Sequence, residues 1–171
     1  MVTIMGAILL ICASSMLGIK KSGELKEKAE ALGSVISGLE MLKGEICTLQ
    51  SPMPEVAARL SQSGPMEMRS FFSRLNTELY RLGEKSFYEL WSNAVKQSRE
   101  LCLGRDEENT LIHLGLSLGR YVLSEQEAVI DQCIHRFQDY YEHAKQKAMV
   151  QGRLYTGLGI AAGLMISIIL L

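Results

Sequence analysis

The chain has 171 residues, 47% of them apolar, with 18 basic against 19 acidic side chains. That is enough for one domain with a real core, and it lacks the basic excess expected of a nucleic-acid binder. The charge is unevenly spread: every Lys and Arg lies between Lys20 and Arg153, and every Asp and Glu between Glu24 and Glu142, so uncharged ends of 19 and 18 residues flank a polar middle. At about 1.5 Å per residue each end makes a helix of roughly 27 Å, close to a hydrocarbon core of about 30 Å. The expected division is a transmembrane helix over residues 1–19, a helical bundle over 20–153 and a second transmembrane helix over 154–171.

The first end, MVTIMGAILLICASSMLGI, does not read as a secretory signal, because no basic residue precedes Lys20. A lipoprotein signal would use Cys12 but wants a small residue where Ile11 stands. Lys20 and Lys21 follow this span, and Lys145, Lys147 and Arg153 precede the other, so both basic clusters belong to the middle. Basic flanks stay in the cytoplasm, which places a two-pass protein in the cell membrane with its bundle cytoplasmic and its termini on the far side.

A long amphipathic helix leads out of the first span from Ser22 to Gln50, with Leu25, Ala29, Leu32, Ile36, Leu39, Leu42, Ile46 and Leu49 recurring at threes and fours. Gly33, Gly38 and Gly44 weaken it unless a neighbouring helix packs closely there. Ser51-Pro52-Met53-Pro54 stops it, and Ser51 is the expected cap of a second helix that buries Val56, Ala57 and Leu60. After a turn at residues 61–65, a third helix runs from Pro65 through Leu82 over Met68, Phe71, Phe72, Leu75 and Leu79, ended by Gly83. Ser86 starts a fourth, with Phe87, Leu90, Trp91, Ala94, Val95 and Leu101 inside and Gly104 at its close. Asp106 caps a fifth over Leu111, Ile112, Leu114 and Leu118, closed by Gly119.

The sixth helix begins near Ser124 and meets no proline before Leu171. Ile130, Ile134, Phe137, Tyr141, Ala144 and Ala148 form one face of it, and after Arg153 its polar face disappears. No segment alternates as a strand would. The fold class is therefore all-α, a six-helix bundle flanked by two transmembrane helices, the last helix continuous into the membrane.

The legs 20–50 and 124–153 each hold about 30 residues, or roughly 45 Å of helix. The turns at Ser51 to Pro54 and Gly119 to Ser124 should thus lie level, at the end of the bundle farthest from the bilayer. Arg120 and Tyr121 are the partner-binding candidates there, since Arg and Tyr are over-represented among residues that dominate interfaces. The plainer alternative is that Tyr121 covers the core and Arg120 complements the carboxyl end of the fifth helix.

Catalytic and phosphate-binding motifs are missing. Cys12, Cys47, Cys102 and Cys133 have no close pairing and read as small apolar residues. His135, Asp139 and His143 share one helix face but lack a further ligand from a second element, so a solvated stripe explains them better than a metal. Asp106, Glu107 and Glu108 are helix-start charges. No metal or cofactor is expected. Gly159 and Gly163 form a GxxxG pattern, and Ser14 with Gly18 a looser small-residue pair, so these four are the candidates for packing between the spans. Uncharged spans suit anchors better than a channel or pump.

Several blocks then carry a resemblance. They are Leu42-x-x-Glu45-Ile46; Ser51-Pro52-Met53-Pro54-Glu55; Leu114-Gly115-x-Ser117-Leu118-Gly119 with Gln126 and Ile130; Tyr155-x-x-Leu158-Gly159-x-x-x-Gly163; and Gly6-Ala7. In order and spacing the chain resembles the stage III sporulation protein AB family over its whole length. Val122 departs from the Asp favoured there, so Ser124 would have to cap the long helix. The resemblance implies a part in endospore formation, in a secretion-like channel between mother cell and forespore. It also implies a soluble part similar to the cytoplasmic domain of the inner-membrane platform protein of type II secretion and type IV pilus machines, with a stage III AA-type ATPase and other channel components as partners. The function that follows is a non-enzymatic membrane scaffold, with its bundle in the mother-cell cytoplasm and able to form homo-oligomers. A membrane-tethered regulator that binds a soluble partner outside any secretion apparatus is the alternative.

Overall fold

The structure, a computed structural model, describes residues 2–81, 83–118 and 123–170, and for most positions before Ile19 and after Gly152 the backbone alone. Among the described residues there are six α-helices and no strand: α1 Val2–Lys43, α2 Met53–Ser63, α3 Met66–Leu79, α4 Phe87–Gln97, α5 Arg105–Leu118 and α6 Leu123–Leu170. The chain divides into two units, Met1–Ala29 with Glu142–Leu171, and Glu30–Tyr141.

The second unit holds the core, and the predicted stripes supply it. Val56, Ala57 and Leu60 of α2 are buried, as are all five predicted residues of α3 and all four of α5. Trp91 of α4 lies at its centre, fully buried, with its Nε1 donating to Leu111 O at 2.7 Å and Phe71 set edge-on at 5.0 Å. Gly115 is what lets that ring in. A Cβ there would stand 2.2 Å from Trp91 Cδ1, so α4 and α5 approach to a distance that no other residue permits.

The weak points of α1 resolve the same way. A Cβ on Gly38 would meet Met68 Cγ at 2.7 Å, whereas one on Gly33 would make ordinary contact with the Tyr141 ring at 3.5 Å. Gly44 has no neighbour within 4 Å, and there the helix changes form. Residues Gly44–Thr48 make a π-helical turn, with Leu49 N donating to Gly44 O at 3.1 Å. A wider turn shifts every later side chain around the axis. Leu49, expected in the core, is consequently 60% exposed, and upstream Val35 is fully buried where Ile36 was expected.

Four predicted ends are also corrected. Pro52, not Ser51, precedes α2, and the Ser51 hydroxyl donates to Glu45 Oε2 at 3.2 Å instead. α4 stops at Gln97, and Leu101 belongs to a separate 3₁₀ turn, Arg99–Leu101, because Ser98 leaves the helical conformation at φ −88° and ψ 70°; Cys102, with φ at 50°, then ends that turn. Asp106 lies inside α5 rather than capping it, and Glu107 in the same first turn bends back to accept from Gly104 N, the residue just before the helix. Ser124 falls inside α6, which already begins at Leu123. The Ser86 start holds: Ser86 and Glu89 form a full capping box.

Gln50 has φ at 52°, a conformation that costs an L-residue roughly 1–2 kcal/mol and glycine almost nothing. After the extra backbone entropy that glycine gives the unfolded chain is subtracted, Gln50→Gly should raise stability by about 0.5–1 kcal/mol in urea titration. Lower stability would show that the Gln50 side chain holds the turn.

In the first unit α1 and α6 meet where a Cβ on Gly152 would lie 2.8 Å from Ser22 Oγ, with Ala29 and Ala148 also buried. Among the described residues no helix is long and apolar enough to cross a membrane. The side chains of both uncharged ends lie largely outside those residues, including Ser14, Gly18, Gly159 and Gly163.

Candidate interaction surface

In the second unit the last turn of α1 is clasped to the start of α6. Lys43 Nζ donates to both oxygens of Asp131, at 2.9 and 2.8 Å, and stands 3.1 Å from Glu127. Hydrogen bonds to Asp131 and Glu127 raise the Lys43 pKa above its ordinary value. The clasp is intact below the ordinary Lys pKa of about 10.4 and loosens as pH rises through the raised one. Gln126 Nε2 donates to Leu118 O at 3.1 Å, which brings the end of α5 to the same start of α6.

The turn after α1 is fixed by Glu45. Its carboxylate accepts from Arg59 of α2 at 2.9 and 3.0 Å and from the Ser51 hydroxyl, while its carbonyl accepts from Ser51 N at 3.0 Å. Beside it, the first turns of α2 and the last of α3 border an open, mainly apolar cleft of about 360 Å³ lined by Pro54, Glu55, Ala58, Asn76, Leu79 and Tyr80. Tyr80 is 87% exposed. α2 carries both Arg59 of the ion pair and Pro54, Glu55 and Ala58 of the cleft, so this end of the unit presents apolar and phenolic area suited to protein contact.

Arg120 and Tyr121 lie outside the described residues. The cleft and Leu49 were missed by the sequence reading. Tyr80 alone left a signal, since it falls off the stripe of Met68, Phe71, Phe72, Leu75 and Leu79. A polar cleft of about 300 Å³ along α4 is lined by Lys85, Tyr88, Glu89, Ser92, Asn93 and Lys96.

His135, Asp139 and His143 are exposed, and His135 Nδ1 lies 3.1 Å from Gln138 Oε1. Among the described residues no group of three or more His, Cys, Asp or Glu is placed to hold a metal. Cys133 is buried and its thiol is pushed up to about 12 by desolvation, Cys47 is half-buried, and Cys102 is exposed.

The sequence matches the family described as stage III sporulation protein AB over residues 3–171. Among curated proteins it is similar to the stage III sporulation protein AB of Bacillus subtilis (strain 168), 20% identical over 172 residues and covering 100% of each chain. No solved structure matches.

Proposed function

The chain belongs to the stage III sporulation protein AB family, with a role in sporulation, and from that premise we propose that it is a non-enzymatic membrane scaffold of the channel between mother cell and forespore. Its uncharged ends are anchors in the cell membrane, and its bundle lies in the mother-cell cytoplasm. There it takes the part of a secretion-type platform domain and couples a stage III AA-type ATPase to the membrane assembly. The observation that supports this most is continuity. α1 and α6 each run unbroken from an uncharged end into the helical bundle, as Val2–Lys43 and Leu123–Leu170. A force applied to the bundle would then reach each anchor along a single helix.

Co-purification from sporulating cells tests the reading: a scaffold brings down the ATPase and other channel components, a separate regulator does not. Within the same experiment, the double variant Arg120→Glu with Tyr121→Ala should lose the ATPase and keep the remaining components. Reporters fused after Leu103 and after Leu171 should read opposite sides of the membrane. The same side for both would mean that the second uncharged end does not cross.

A further inference from the structure

On α6, one turn before the uncharged end, Met149 and Val150 are 54% and 62% exposed, although Ala148 and Gly152 on either side of them are buried. Two large apolar residues thus face outward in a stretch that also carries Lys145, Lys147 and Arg153. Nearby, Ile19 of α1 and Leu154 of α6 are 60% and 57% exposed. Lys21 and Lys145 are engaged, by Glu24 at 2.8 Å and by Glu142 at 4.0 Å, whereas Lys20 and Lys147 are exposed and make no ion pair among the described residues.

Resting on the membrane reading above, we infer that this base of the first unit is a lipid collar: Met149 and Val150 enter the boundary between headgroups and acyl chains, and Lys20 and Lys147 bind anionic phospholipid headgroups. Length favours it. The 18 uncharged residues of the second end give about 27 Å against a core of about 30 Å, whereas counting from Met149 gives about 34 Å. Charge complementarity also selects lipid over a second copy, because another copy would bring the same exposed lysines against these.

The test uses the full chain in nanodiscs of phosphatidylcholine and phosphatidylglycerol. Cys12, Cys47 and Cys102 are replaced by Ser, buried Cys133 is left in place, and an environment-sensitive fluorophore is attached through Met149→Cys or, separately, Ala161→Cys. At position 149 a nitroxide near the glycerol should cut emission at least about twofold while aqueous iodide does little; at 161 a nitroxide deep in the acyl chain should dominate. Iodide access at 149 with deep quenching at 161 leaves the span standing and overturns the collar. Absence of lipid quenching at both positions overturns the membrane reading and the collar with it. Shielding of 149 from both quenchers means that protein covers it, which also overturns the collar. Lys20→Gln with Lys147→Gln should lower the preference for spin-labelled phosphatidylglycerol over phosphatidylcholine about fivefold per lysine. An unchanged preference would overturn the headgroup role.

Discussion

Gly115→Ala should destabilise the bundle by about 2–4 kcal/mol, although alanine is the better helix former by about 1 kcal/mol. The new methyl would stand 2.2 and 2.4 Å from Trp91 Cδ1 and Cγ and 2.9 Å from its Cβ, all of them in a fully buried side chain. The ring has to move, and moving it breaks the 2.7 Å bond to Leu111 O and the edge-on contact with Phe71. Because Trp91 is the sole tryptophan, its emission reports the displacement directly as a red shift. Gly38→Ala is the control: its Cβ meets the flexible Met68 chain at 2.7 and 2.9 Å, and rotation of that chain should keep the loss below about 1 kcal/mol. Equal losses for the two variants, or unchanged Trp91 emission in the first, would show that the approach of α4 and α5 is looser than the structure has it.

Thiol labelling should separate the cysteines by orders of magnitude. In a Cys12→Ser background at pH 8, exposed Cys102 should react first, half-buried Cys47 more slowly, and Cys133 only on unfolding. Burial of Cys133 pushes its pKa up to about 12. At pH 8 roughly one such thiol in ten thousand is ionised, against about a quarter of ordinary ones. The sign for stability follows: above about pH 8.5 the unfolded thiol ionises while the folded one cannot, so Cys133 lowers stability as pH rises further. Native Cys133 reacting at the rate of Cys102 would refute the burial of that face of α6.

Periodicity by itself determined that the described residues are all-α, that they form six helices, and which side chains fill most of the core, because a stripe at threes and fours has only one face to bury. The helix start at Ser86 was legible too, and the structure adds the capping box with Glu89 that secures it. The charge map marked out the uncharged ends without any coordinates. Tertiary structure decided the rest. Whether a glycine is a weakness or a contact depends on what faces it: Gly115 admits Trp91 and Gly38 admits Met68, while Gly44 meets nothing and the helix widens there. That widening turned Leu49 outward, and no count of threes and fours contains it. The candidate surface was illegible for the same reason. Lys43 meets Asp131 across 88 residues, and Glu45 meets Arg59 only once α2 folds back, so the groups that build that end of the bundle become neighbours through packing between helices, which a pattern within one helix does not encode.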